Sequence, residues 1–314
     1  MIKKPKFWDK KQLNFLSILL LPLTFIIIVR NIINKLIKKK KFQKKSICIG
    51  NIYLGGTGKT PLTIKLNQIL SNLNFNIGIV KKYYPNQKDE QDLLGKNNNL
   101  IVVNRRIDSF KIAKEQNFDL LLFDDGLQDR NIDYDVKFVC FKASKWIGNG
   151  QLIPAGPLRE RLSSVHKYDA IFFNSENSLP LSIIENIKSI NPSIKIFETM
   201  YFIKNLDNFD KNKNYLIFSG IGDPESFKNL LLQNNFKISR EIIFPDHHEY
   251  SEKDMIKILD ESDKLGLGII TTEKDIVKID KKYSDKINFL KIDLKIKKET
   301  DLINFINEKL NQKN

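Results

Sequence analysis

The sequence predicts an α/β fold: a P-loop NTPase-like core with a mostly parallel sheet, a second, smaller α/β domain and an N-terminal membrane-associating helix. Three observations carry this. A glycine-rich loop joins an apolar run at 47–52 to a helical pattern at 62–70, short apolar runs recur between polar stretches along the 314 residues, and an apolar segment fills 13–29. Runs of that kind are what buried strands of a helix-covered parallel sheet require.

The N-terminal segment is apolar apart from Asn14, Ser17 and Thr24 and contains Pro22. As a helix it reaches about 26 Å at about 1.5 Å per residue, short of a hydrocarbon core roughly 30 Å thick. Lys10 and Lys11 precede it and Arg30, Lys35 and Lys38 follow, whereas a span favours asymmetric charge. The lysines that follow, with no small-residue cleavage site, argue against a signal peptide. A helix dipping into one leaflet is favoured over a span or a buried core helix. Basic flanks at both ends belong on the cytoplasmic face.

Gly55-Gly56-Thr57-Gly58-Lys59-Thr60-Pro61 then links strand to helix, the architecture of a phosphate-binding loop. Glycines let backbone N–H groups approach an anion at the helix N-terminus. Lys59 is placed to reach the β- and γ-phosphates and Thr60 to ligand Mg²⁺. The full pattern has a further glycine where this chain has Tyr53. A nucleoside triphosphate is the expected ligand.

Strand-like runs follow at 76–80, 100–103, 120–123 and 136–141, and a second series at 170–173, 194–198, 215–218, 242–244 and 267–271. Gly148-Asn149-Gly150 and Pro154-Ala155-Gly156-Pro157 punctuate the passage between the two series. The expected domains are 1–140, holding the N-terminal helix and the P-loop core, and 141–297, a second α/β domain. A last helix at about 298–314 can pack back on the first.

The run at 120–123 ends in Asp124-Asp125-Gly126, where a P-loop fold places the acid that holds Mg²⁺ or its water shell. A turn or cap pair is the alternative. No Asn-Lys-x-Asp guanine motif is present, so ATP is the better expectation. His247 and His248 follow Pro245-Asp246. Adjacent histidines point in different directions, and zinc would need ligands the sequence does not offer. Residue chemistry leaves a functional and a structural imidazole equally open. Asp223-Pro224 and Thr272-Glu273-Lys274-Asp275 read as capped helix starts.

The formal charge is +15, yet only seven of the 52 basic residues are Arg. Nucleic-acid readers concentrate Arg or a basic stripe on one element, so no nucleic-acid partner is expected. The dense cluster Lys38 to Lys41 with Lys44 and Lys45 suits anionic lipid or substrate. Cys48 and Cys140 lie in separate apolar runs, which disfavours a disulfide framework.

In order along the chain, Pro5-Lys6-Phe7-Trp8 before Leu21-Pro22-Leu23, Gly50-Asn51 with the glycine loop, Asp124-Asp125-Gly126-Leu127-Gln128, Gly148-Asn149-Gly150 with Pro154 to Glu160, Gly220-Ile221-Gly222 with Pro224-Glu225, Phe244 to His248 and Thr272 to Asp275 resemble the tetraacyldisaccharide 4'-kinase, or lipid A 4'-kinase, family. That family also lacks the first loop glycine. The resemblance implies transfer of the ATP γ-phosphate to the 4'-hydroxyl of a tetra-acylated disaccharide 1-phosphate at the cytoplasmic face of a Gram-negative inner membrane. ATP and Mg²⁺ are the implied cofactors, the acylated disaccharide lipid and the membrane surface the partners, and no protein partner is expected.

By the same likeness Asp89 is the base for the acceptor hydroxyl and His247 its partner. Gly55, Gly56, Thr57, Gly58, Lys59 and Thr60 bind nucleotide, Thr60, Asp124 and Asp125 hold the metal, and Lys59, Asp124 and Asp125 join the catalytic set. An imidazole can orient a carboxylate and tune its proton affinity. The chain departs from the family at Asp129 (usually His), at Lys82-Tyr83-Tyr84 (usually Arg-Gly-Tyr) and at Gln91 (usually Pro). The alternative function is a membrane-bound P-loop ATPase that switches a protein partner.

Overall fold

Apolar runs with no polar alternation pair on both edges and leave solvent altogether, as at Leu120 to Phe123, each fully buried. The computed structural model describes residues 5–96, 98–176 and 178–311, with the backbone alone for Asn34, Lys35, Asn86 and Asp89. These fall into two units: the described residues up to 83, from 98 to 200 and from 296 onward, and then 84–96 with 201–295.

The first unit begins with α1 (Phe15–Leu20) and α2 (Thr24–Leu36), then β1 (Lys40–Lys41), β2 (Lys45–Gly50), α3 (Lys59–Ser71) and β3 (Ile77–Lys82). After α4 (Lys88–Gly95), which belongs to the second unit, come β4 (Leu100–Val103), α5 (Ser109–Glu115), β5 (Leu120–Asp124), β6 (Ile132–Asp133), β7 (Val136–Lys142), β8 (Ala170–Asn174), α6 (Leu181–Ile190) and β9 (Lys195–Ile203). The chain continues through β10 (Asn214–Ser219), α7 (Pro224–Gln233), β11 (Lys237–Ile243), α8 (Glu252–Leu265), β12 (Gly268–Thr272), α9 (Glu273–Ile276), α10 (Lys281–Ser284) and β13 (Asn288–Leu290). It returns along β14 (Ile292–Ile296) to α11 (Glu299–Asn311).

The large sheet runs β14-β9-β8-β7-β2-β5-β3-β4, and the pairs from β9 to β4 are parallel. β2 is central, between β5 and β7, so its C-terminal end opens where ligands bind in sheets of this kind. Phe305 of α11 reaches Phe138 and Phe197 on one face. The second unit has a parallel sheet β11-β10-β12-β13. Along β10, Tyr215 and Ile217 enter one core and Leu216 and Phe218 the other, the period-two pattern of a sheet covered on both faces.

Two expectations are corrected. The runs at 170–173 and 194–198 join the first sheet as β8 and β9, not a second one, so the first unit continues past 140 to Met200. An apolar run marks a buried strand but not its sheet, and the Gly/Pro stretch behind that boundary is a loop of the first unit: Leu54 N–H donates to the Pro157 carbonyl (2.8 Å) and Arg159 N–H to that of Ile52 (2.7 Å). Residues 84–96 also leave the first unit although they lie between two of its strands.

The N-terminal segment docks on that loop. Trp8 is buried with its indole N–H on the Pro154 carbonyl (3.0 Å), Asn149 donates to the Ser17 hydroxyl (3.0 Å) and Ile27 and Ile28 pack on Tyr53, Leu152 and Leu158. Its other face is open: Phe15, Leu19, Phe25, Ile26 and Leu36 are 62–82% exposed, and only 11% of the apolar stretch Phe15–Ile33 is buried. A buried core helix is therefore the alternative that the structure removes.

Candidate active site

Asn51, fully buried just after β2, folds the glycine loop from within. Its amide donates to the Gly55 carbonyl (3.2 Å) and the Thr57 hydroxyl (2.9 Å). Gly58 sits at φ +85° as the residue before α3, a conformation that strains any side chain with a Cβ. The turn leaves the first N–H groups of α3 without helical partners and pointing out of its N-terminus, an anion cradle. Tyr53, at the position of the missing glycine, packs on Leu152 and Leu158, and its hydroxyl donates to Asp9.

The acid pair stands over this cradle. Asp124 at the end of β5 is fully buried; Oδ2 accepts from Lys81 Nζ (2.5 Å) and Thr60 Oγ1 (3.3 Å), and Oδ1 from Thr63 Oγ1 (3.5 Å). Asp125 turns away at φ +57°. Its Oδ1 lies 3.0 Å from an Arg159 guanidinium nitrogen and 3.9 Å from Lys59 Nζ, while its carbonyl accepts from Arg106 (2.6 Å). Burial pushes the Asp125 carboxyl up, but Lys59, Arg159 and Arg106 together outweigh it and bring the pKa down to about 2.

Arg159 also donates to the Gln128 side chain (3.2 Å), which in turn donates to the Asn51 carbonyl (2.9 Å) and to Glu160 (3.0 Å). Glu160 further accepts from the Tyr168 hydroxyl (3.1 Å) and pairs with Lys167 (3.2 Å). The loop after Gly148 is thus tied to the nucleotide loop residue by residue.

In the second unit, Asp89 lies in the first turn of α4; its side chain falls outside the described residues. Glu90 pairs with Lys274 (3.6 Å) and Lys96 with Glu273 (2.9 Å), clamping α4 to α9, and Leu94 is fully buried. Thr272 caps α9, accepting from Asp275 N–H and donating to the Asp275 carboxylate, which also takes the Gly220 N–H (3.2 Å). Asp223 is at the cap position of α7, but its carboxylate accepts from the Ser226 hydroxyl and makes no backbone cap bond. His247 adopts φ +59°, donates its N–H to the Gly220 carbonyl (3.0 Å) and is 11% exposed at the side chain. His248 stacks on Phe244 and sets Nε2 3.1 Å from Asp254. These contacts build His248 into the fold.

Residues 13–311 match the family described as LpxK, tetraacyldisaccharide-1-P 4'-kinase. The chain belongs to this family. It is 44% identical over its full length to the tetraacyldisaccharide 4'-kinase of Pelagibacter ubique, covering 99% of that protein, and 32% identical to that of Rickettsia akari, over 96% of this chain and 95% of the other. The fold resembles that of LpxK from Aquifex aeolicus, a crystal structure of an "apo" form in complex with ATP, with a TM-score of 0.70 and 23% identity over 94% of this chain and all of that one.

Of the residues expected to form the kinase site, the loop from Gly55 to Thr60 and the pair Asp124 and Asp125 converge in the first unit; Asp89 and His247 both belong to the second. Against the 4'-kinase pattern, Asp129 pairs with Arg106 (3.7 Å) and accepts from Asn131 N–H (2.9 Å), and Gln91 donates to the Tyr84 carbonyl (3.3 Å). Lys81 and Arg106 were not anticipated. The available signals were a lysine at the end of an otherwise buried strand and one of only seven arginines. Neither reveals its partner: Lys81 meets Asp124 only through the register of β3 on β5, and Arg106 meets the Asp125 carbonyl only in the folded chain.

Proposed function

We propose that this 4'-kinase takes ATP at the α3 N-terminus and transfers its γ-phosphate to the 4'-hydroxyl of tetraacyldisaccharide 1-phosphate. The observation that carries the reading is the convergence of Lys59, Thr60 and the Asp124-Asp125 pair on one helix N-terminus, in a chain that matches a kinase family from end to end. Backbone N–H groups and Lys59 hold the polyphosphate. Thr60 and Asp124 offer hard oxygens side by side, which suits Mg²⁺, an ion that binds through one or two carboxylates and substrate phosphates. With Asp125 they would hold it, and bound there it supplies neutralisation of phosphate charge.

Neither acid of the pair is free to take the acceptor proton. Asp124 is committed to Lys81, Thr60 and Thr63, and Asp125 is held ionised by three cations. A carboxyl held near pKa 2 is a weak base. The resemblance to the 4'-kinases makes Asp89 the proposed base and His247 its partner, and both belong to the second unit. The exposed apolar face of α1 and α2 is proposed to enter one leaflet from the cytoplasmic side, where the acceptor lipid lies. Radiolabelled ATP with disaccharide lipid in mixed micelles tests the reading: label appears in lipid in step with ADP release, and Asp89→Ala and His247→Ala abolish transfer while ATP affinity stays within a few fold. ATP consumption indifferent to lipid, or normal turnover of Asp89→Ala, refutes it.

A further inference from the structure

Lys81 and Asp124 are register partners on neighbouring parallel strands, so their side chains share one face of the sheet. Both are buried, Lys81 at 3% exposure and Asp124 at zero, and the ammonium sits 2.5 Å from Oδ2. That oxygen is also the one facing the Thr60 hydroxyl at 3.3 Å. The carboxylate oxygen that faces the Thr60 hydroxyl thus already carries a cation from the protein itself.

A buried carboxylate is costly without a counter-charge, and the threonine hydroxyls alone leave it unneutralised. Lys81 supplies that charge before any ligand arrives. A metal approaching Thr60 meets an ammonium on the same oxygen and must displace it or share with it. We propose that Lys81 is a resident counter-ion of Asp124 that suppresses metal binding to the nucleotide-free protein, so that the divalent ion enters with the triphosphate and not ahead of it. The added negative charge of the polyphosphate then lets both cations stay. The proposal rests on the reading that Thr60, Asp124 and Asp125 hold the metal.

The test uses Mn²⁺ as a paramagnetic probe, with electron paramagnetic resonance counting free and bound ion on the full chain, with and without a non-hydrolysable ATP analogue. Wild type binds Mn²⁺ weakly alone and tightly with the analogue. Lys81→Met binds the ion alone about tenfold or more tightly than wild type, because one unit of like charge next to the ion is gone. Asp124→Asn removes that gain in the Lys81→Met background. A folded Lys81→Met protein with unchanged Mn²⁺ affinity overturns the proposal. Should Lys81→Met not fold, Lys81→Gln keeps a donor without the charge and carries the same expectation; if neither folds, the ammonium is architectural and the proposal is overturned. Wild type that binds no Mn²⁺ even with the analogue refutes the metal assignment itself, a different result from the first.

Discussion

Gly148 is where the N-terminal segment meets the loop that carries Arg159, and Gly148→Ala should separate them. The backbone there has φ +58°, and an added Cβ would stand 2.2 Å from the Trp8 carbonyl oxygen and 2.9 Å from the Pro157 ring. A carbonyl cannot yield as a flexible side chain can. The left-handed backbone costs alanine about 1 kcal/mol. Losing the Asn149 N–H bond to that carbonyl (2.9 Å) costs about 1 kcal/mol more. Re-exposing the indole, 6% accessible, adds about 1–2 kcal/mol. The sum, about 3–4 kcal/mol, is an upper bound, because detachment of the segment caps the loss at its own docking energy. The chain has two tryptophans, so in a Trp146→Phe background Trp8 alone reports. Its emission should shift to the red and the urea midpoint fall, with ATP affinity held within about threefold, since Asn51 shapes the loop locally. Unchanged emission and midpoint in Gly148→Ala refute the docking.

Three further outcomes are expected. The folded-state pKa of Asp125, about 2, lies below the ordinary 3.8. Its ionisation therefore stabilises the fold fully above about pH 4, by about 2 kcal/mol, and that contribution fades as pH falls through about 2. Asp125→Asn should lose that amount in urea unfolding at pH 7, with the gap to wild type closing toward pH 2; a gap independent of pH contradicts the ion cluster. Replacing Phe15, Leu19 and Phe25 by Ser should leave the urea midpoint nearly unchanged, as these side chains are 77%, 62% and 65% exposed, but abolish flotation with anionic vesicles. Lys274→Glu should lower kcat about tenfold through displaced α4 geometry without altering ATP affinity, and Glu90→Lys in the same chain should restore it.

What the sequence discloses depends on whether the relevant physics is local. The glycine loop between β2 and α3 is local: strand, turn chemistry and helix start lie within some twenty residues, and the structure assembles them in that order. Most of the buried strands were legible to within one or two residues, because an apolar run excludes water wherever it pairs, but β9 runs on to Ile203 and β11 begins at Lys237, where polar residues alternate with apolar ones. Sheet membership is a different matter. β8 and β9 continue the first sheet through register pairs such as Val139 with Ile171, and no residue in either strand announces its neighbour. Asp124 was found from its place at a strand end. Its partner Lys81 was not, because that pairing exists only through the alignment of β3 on β5.

The same reasoning bears on α4. By sequence it is a crossover between β3 and β4, and a reader following the chain assigns it to the unit those strands build. Its attachments say otherwise: Glu90 to Lys274 and Lys96 to Glu273 tie both of its ends to α9. Each such pair is worth at most about 1 kcal/mol where partly exposed, so neither alone secures the helix. Acting together with the burial of Leu94, they hold α4 in the second unit. Asp89 and His247, the proposed base and its partner, both belong to this unit, whereas the phosphate cradle belongs to the other. The proposal that sets base and partner on the second unit and the nucleotide on the first separates binding from turnover in their mutational responses, and that is why substitutions in α9 are expected to spare ATP affinity while lowering kcat.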